Sequence, residues 1–418
     1  MRVLVLSQYY WPETFRITEV VGALRAADVE VAVLTGQPNY PDGEVFPGYS
    51  AMSTREEVHE GTQIWRVPML PRGRGSALRL VGNYLSFIIS AACVGPWLLR
   101  RQRFDVVLVY APSPILQAIP AVAIARLKRA RLVTWVQDLW PESLEVTGFI
   151  RNRRALMLVA GVVRWIYRRN DLLLVQSQAF ESPVRRLAPY TPIEYFPNPG
   201  DGPVPSVARA DEPPLRLGEG FTIVFAGNLG TVQALDTVLA AASELRDLTD
   251  VRFILVGSGS RSDWLREAVQ KAALLNVDLP GRFPPAAMPA ILEQASVLLV
   301  SLAKQPILAQ TVPSKLQSYL AAGKPILASL DGEGARVVGE AEAGIATPAE
   351  DASALAAAAR RLYAATPAER LAMGARARAY YDRHFDPQKL GSRLVGILSS
   401  VAQLGATVSP TADCTGAK

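Results

Sequence analysis

The stretch Phe221-Thr222-Ile223-Val224-Phe225-Ala226-Gly227-Asn228-Leu229-Gly230 decides the fold. Six strand-length residues, five of them apolar, predict a strand buried on both faces, and the glycines behind it predict a turn into a helix starting near Thr231 or Val232. Met1-Arg2-Val3-Leu4-Val5-Leu6-Ser7 repeats the arrangement at the start of the chain, running into a Tyr9-Tyr10-Trp11-Pro12 turn without a cleavage site. Working outward, strand-length apolar runs fall at 2–7, 30–34, 63–67, 105–110, 131–136, 171–175 and 192–196, then at 221–226, 251–256, 276–279, 296–301, 325–328 and 344–346. Helix-length segments separate most of them. This alternation predicts parallel sheets with crossover helices, an α/β class.

The rhythm breaks between Pro197 and Gly220, where Pro197, Pro199, Pro203, Pro205, Pro213 and Pro214 suit a linker. The expected organisation is an N-terminal domain at 1–198, a linker at 199–220 and a second domain at 221–384. A closing helix at 385–404 and a polar frayed tail at 405–418 follow. Two doubly wound domains facing across a cleft would carry ligands on the loops at the carboxyl ends of their strands.

Composition excludes several classes. Of 418 residues half are hydrophobic and 20% charged, as in ordinary globular chains. Cys93 and Cys414 stand 321 positions apart, so a disulfide framework or cysteine metal site is not expected. With only His59 and His384 and no Asp-x-Asp triplet, metal-independent chemistry is the expectation. Residues 1–200 hold 23 Lys and Arg against 16 Asp and Glu, a net +7, whereas the remainder carries 21 against 22. An anionic partner is therefore expected on the N-terminal half. The uncharged segment 80–99 contains Gly82, Asn83, Ser86, Ser90, Gly95 and Pro96, which disfavours a spanning helix. Flanked by Arg72, Arg74, Arg79, Arg100, Arg101 and Arg103, it reads as a buried or interface-lying helix. Nucleic acid is the weaker partner, because these charges flank apolar helices instead of interleaving with exposed aromatics.

The chemistry-bearing motifs fall on strand-to-helix loops. Gly227 and Gly230 either make a tight turn or let the backbone approach a ligand, with helix amides nearby for phosphate. Gly257 and Gly259 repeat this after the next strand. Thr311-Val312-Pro313-Ser314-Lys315 places Pro313 at a first helical position, with Ser314 and Lys315 adding a hydroxyl and a cation to an anion site. Three such loops suit a diphosphate. In the N-terminal domain, Gln137-Asp138-Leu139-Trp140-Pro141-Glu142-Ser143 sets two carboxylates around an aromatic, for a base, an orienting acceptor, a sugar-stacking surface or a simple loop cap. Arg16 lies in the equivalent loop after the first strand.

Together these residues resemble glycosyltransferase family 4 of the GT-B architecture, nearest its bacterial surface-polysaccharide transferases of the L-fucosamine kind. The likeness rests on the Asp138-to-Glu142 run, Phe196-Pro197-Asn198, Phe225 to Gly230, Val256 to Gly259, Leu279-Pro280-Gly281, Val312 to Lys315, Tyr319 and Ala322-Gly323-Lys324-Pro325. It implies a metal-free transferase with retention of configuration, a nucleoside-diphosphate sugar held by the second domain and the acceptor held by the first. Gly227, Asn228, Leu229, Gly257, Thr311, Pro313, Ser314 and Lys315 become donor-side residues, and Arg16, Trp140 and Glu142 acceptor-side ones. Asp138 and Lys315 are the expected catalytic pair. Gln310 and Ser318 stand where many members carry two glutamates, and no histidine follows the fifth strand.

A lipid-linked acceptor at the cytoplasmic face of the plasma membrane is expected from the basic N-terminal half. Two rival readings share the fold: a sugar-nucleotide 2-epimerase and a non-catalytic subunit of a polysaccharide assembly complex. Acceptor-dependent release of nucleoside diphosphate separates the transferase from both.

Overall fold

The computed structural model of the chain describes residues 1–73, 77–146, 148–200 and 215–406. Arg74, residues 201–214 of the expected linker and 407–418 of the expected tail lie outside them. The chain divides into two compact units, Met1–Asn198 with Gln388 onward, and Pro199–Pro387.

The first unit is built on β1 (Arg2–Leu6), β2 (Glu30–Thr35), β3 (Arg55–His59), β4 (Thr62–Arg66), β5 (Val106–Ala111), β6 (Arg131–Val136), β7 (Leu172–Val175) and β8 (Ile193–Tyr195), in sheet order β3-β4-β2-β1-β5-β6-β7-β8. All neighbours are parallel except β3, which runs antiparallel to β4. β1 alternates between two cores: Leu4 and Leu6 face one with Val107 and Val109, and Val3 and Val5 face the other with Val106 and Leu108. That double burial is why the strand reads as a continuous apolar run. The last helix, Pro387–Ala406, sets Leu390, Leu394, Leu398 and Val401 into the second of these cores. These positions recur at helical spacing, so one stripe does the packing.

β3 escapes the sequence reading. Its Arg-Glu-Glu-Val-His run is highly charged because it is an edge strand paired on one side only. The available signal is the two-residue turn Glu60-Gly61, both with positive φ, joining it to β4 in the favoured hairpin geometry.

The second unit holds β9 (Phe221–Ala226), β10 (Val251–Val256), β11 (Val277–Gly281), β12 (Val297–Ser301), β13 (Ile326–Ser329) and β14 (Gly344–Thr347), all parallel, in order β11-β10-β9-β12-β13-β14. Strand order reverses between β9 and β12, and in the first sheet between β1 and β5. Loops at such switch points diverge and leave a crevice for ligands. Two ends of the expected linker dock on this unit: Gly200 donates its amide to Phe385 O at 2.8 Å, and Leu217 is buried in its core.

Candidate functional site

In the second unit, the loops after β9 and β10 lie directly on each other. Gly227 donates its amide to Val256 O at 2.9 Å, Leu229 to Ser258 O at 3.0 Å and Gly257 to Gly281 O at 2.8 Å. Those three amides are occupied in loop-to-loop bonds, whereas the donor-side expectation for Gly227 and Gly257 concerns close backbone approach and the nearby helix amides. The Leu229 side chain, expected on the donor side, is buried in the core with Phe225 and Leu235. Gly227 and Asn228 are exposed, and Asn228 spans the two loops with its side chain over Gly230 and Gly259. The helix also starts later than expected. A 3-10 turn covers Thr231–Gln233, and the α-helix Leu235–Glu244 begins after a left-handed Ala234.

At Gly257, φ is +143° and an added Cβ would stand 1.8 Å from Gly227 O. Gly257→Ala should therefore cost about 1–3 kcal/mol of stability from backbone strain alone. Chemical denaturation would read this loss, and an unchanged midpoint would refute the loop contact.

Lys315 is held against the same loops. It sits on the helix Ser314–Ala322, with Pro313 in extended conformation at the capping position, one residue earlier than expected. One turn later Tyr319 is buried and accepts the Ala226 amide at 2.8 Å through its hydroxyl, which fixes the helix to the end of β9. Lys315 shares that face by i,i+4 spacing. Its Nζ lies 3.2 Å from the Phe225 ring centroid and donates to Gln233 Oε1 at 3.2 Å. An added Cβ on Gly227 would meet Lys315 Cε at 3.0 Å. As a residue Lys315 is half-buried, yet its ammonium is desolvated enough to push the pKa down to about 7. No carboxylate offsets that burial among the described residues. A cation in this condition gains most from an incoming anion. Ser314 is exposed and Thr311 half-buried beside it.

In the first unit, Asp138 follows β6 and is half-buried. Its Oδ2 accepts from Trp140 Nε1 at 3.1 Å and from Ser143 Oγ at 3.0 Å. Trp140 Nε1 also reaches Ser113 Oγ at 3.2 Å in the loop after β5. Burial pushes the Asp138 carboxyl above the ordinary range, held back by Ser143, Trp140, Ser113 and the Leu139 amide. Trp140 is corrected as a sugar-stacking surface: it is 6% exposed and packs in the core, so its contribution is to hold Asp138. Glu142 opens the short helix Glu142–Val146, with a buried Oε2 that has no hydrogen-bond partner among the described residues. The Tyr167 hydroxyl is likewise buried with no hydrogen-bond partner among the described residues, within electrostatic reach of both Glu142 and Asp138. Arg16 is half-buried at the start of the helix Ile17–Ala26, within reach of Tyr110 on β5.

Sequence reasoning missed Glu13, which is buried and accepts the amides of Tyr10, Asn39 and Tyr40 at 3.3, 2.8 and 2.7 Å. Burial pushes its carboxyl up to about 7 against those three donors. It ties the loop after β1 to the loop after β2. Arg72 belongs here as well: its guanidinium lies 5.2 Å from the Tyr40 ring and within reach of Tyr9 and Tyr84, and Tyr84 also feels Asp138. Among the described residues no three His, Cys, Asp or Glu side chains gather as metal ligands would.

Comparison with known proteins gives two family matches, a glycosyl transferase 4-like domain over residues 14–199 and glycosyl transferases group 1 over residues 220–365. Escherichia coli (strain K12) WcaI, assigned to colanic acid biosynthesis as a glycosyl transferase, is 27% identical over 338 residues, covering 77% of this chain and 82% of its own. Sucrose-phosphate synthase from Thermosynechococcus elongatus superposes with a TM-score of 0.69 at 17% identity, over 97% of this chain and 99% of that one. Anabaena HepE in complex with UDP gives 0.67 at 15% identity, over 96% and 100%.

Proposed function

The chain belongs to glycosyltransferase family 4 and has the GT-B fold, and on that premise we propose a donor, an acceptor and a place of action. The donor is a nucleoside-diphosphate sugar and the acceptor a lipid-linked glycan precursor. Transfer retains anomeric configuration and serves cell-surface polysaccharide biosynthesis. The observation that carries the donor reading is Lys315, a desolvated cation with no anionic partner among the described residues, packed on Gly227 of the β9 loop. HepE, of the same fold, holds UDP. As the sugar leaves, negative charge develops on the diphosphate oxygen, and Lys315 binds that charge more strongly than the ground state. Asp138 accepts the proton of the acceptor hydroxyl, or holds that hydroxyl for attack. Arg72, held by Tyr9 and the Tyr40 ring and with no ion pair among the described residues, suits a phosphate on the acceptor.

The direct test is release of nucleoside diphosphate. Release that requires acceptor supports transfer. Release or sugar interconversion without acceptor would support the epimerase, and donor binding without turnover the non-catalytic subunit. A screen of nucleoside diphosphates by thermal shift names the base.

Among the described residues no helix is long and apolar enough to cross a membrane. The helix Ala77–Cys93 instead exposes Leu78, Val81, Leu85 and Ile89 along one stripe and buries Asn83, Phe87, Ile88 and Ala91 on the other. No Asp or Glu occurs between Glu60 and Asp105. These features support peripheral binding to the anionic inner face of the plasma membrane. Flotation with vesicles should weaken as salt rises and as anionic lipid is removed, since attraction of about 1 kcal/mol per basic residue is screened. Equal flotation on neutral and anionic vesicles would overturn the electrostatic part.

A further inference from the structure

We infer that a basic pocket at the amino-terminal edge of the first unit's sheet binds the phosphate of an anionic phospholipid headgroup. The pocket, of about 310 Å3, is lined by Arg126, Arg129, Arg131, Arg169 and Asp171 among others. β6 enters the sheet at Arg131 and β7 at Leu172, whereas Asp138 follows the far end of β6. Six residues of strand, at about 3.3 Å each, separate the two edges. The pocket is thus distinct from the candidate catalytic loops.

Four guanidinium groups meet one carboxylate there, and that carboxylate is already engaged. Asp171 accepts from Arg131 Nη1 at 2.7 Å and from the Leu132 amide at 2.8 Å, while Arg131 Nη2 donates to Leu404 O at 2.7 Å. Arg126, Arg129 and Arg169 have no carboxylate within ion-pair distance among the described residues. The Arg169 Nε is buried with no hydrogen-bond partner among the described residues, its Nη1 donates to Trp165 O at 3.1 Å, and its guanidinium lies 4.2 Å from the Trp165 ring centroid. Three like charges gathered on a concave surface repel one another until an anion enters. Planar forks of this kind match phosphate oxygens in pairs.

The surroundings select a lipid over a soluble phosphate. Leu127 stands 67% exposed between Arg126 and Lys128, and Leu158, Val162 and Trp165 form an exposed stripe on the helix Arg153–Tyr167. Neither that helix nor Ala118–Lys128 contains an Asp or Glu. Apolar side chains beside a pocket with three more guanidinium groups than carboxylates, one of them tryptophan, fit a headgroup with acyl chains next to it. The inference rests on the membrane reading above and adds a defined binding site to it.

The test uses the full chain. Arg126→Gln/Arg129→Gln removes two exposed pocket arginines, and Arg153→Gln/Arg154→Gln removes the same charge from an exposed helix end. Titration calorimetry with glycerol 1-phosphate should show one site, weakened at least tenfold by the first pair and less than twofold by the second. Vesicles of phosphatidylglycerol and phosphatidylcholine (3:7) should capture the wild type at least tenfold better than the pocket variant. Equal losses in both pairs would overturn the pocket, leaving only diffuse charge. Glycerol 1-phosphate or inorganic phosphate binding lost with the pocket arginines, but with vesicle capture unchanged, would overturn the headgroup assignment in favour of a soluble phosphate ester. Vesicle binding absent from the wild type would overturn both that assignment and the membrane reading, with the calorimetric result still deciding whether the pocket binds phosphate. Arg169→Gln provides a second pocket variant with the same expectations.

Discussion

Lys315→Ala should lower turnover by about 10²–10³-fold, the usual consequence of removing one donor aimed at developing negative charge, while donor affinity falls much less. The expectation follows from the position of Nζ over Phe225 and beside Gly227, where burial desolvates the ammonium and no carboxylate pairs with it among the described residues. Single-turnover kinetics with a separate nucleotide titration distinguish the two effects. Unchanged turnover would remove Lys315 from the catalytic step.

The same residue predicts a pH signature. Its pKa of about 7 in the free protein lies below the ordinary lysine value, so near pH 8 a large share of the side chain is neutral. An incoming diphosphate favours the charged form and raises that pKa, so binding takes up a proton. Nucleotide affinity should therefore be flat below about pH 7 and fall as pH rises above it. Calorimetry in buffers of different ionisation enthalpy reads the proton directly. Proton uptake persisting in Lys315→Gln would assign it to another group.

Asp138→Asn should reduce transfer by about 10² or more if the carboxylate is the general base. The replacement keeps the shape that Trp140 Nε1 and Ser143 Oγ recognise, so the loop should hold. Donor binding, measured separately, should survive. The rate should also fall on acidification at a pH above the ordinary carboxylate range, because the base must be ionised and burial favours its neutral form. Near-normal transfer would make Asp138 the organiser of its loop, a role its two hydrogen bonds already perform. Lost folding or donor binding would place it elsewhere in the chemistry.

The amino-acid sequence determined the parallel strands of both sheets and the loops that carry chemistry. Strands such as β1, β6 and β9 are buried on both faces, so their runs are almost wholly apolar and bounded by turn residues, and local pattern alone reveals them. Edge strand β3 was not legible, because a strand paired on one side keeps charged residues and loses the apolar signature. Tertiary structure alone decided what the loop residues do. Whether Leu229 meets a ligand or the core, whether Trp140 stacks a sugar or holds Asp138, and whether Lys315 is solvated or desolvated depends on neighbours tens of residues away. So do the Glu13 clasp and the gathering of Arg126, Arg129, Arg131 and Arg169. Burial and electrostatic environment are set by packing between distant segments, and a local run of residues carries no record of them.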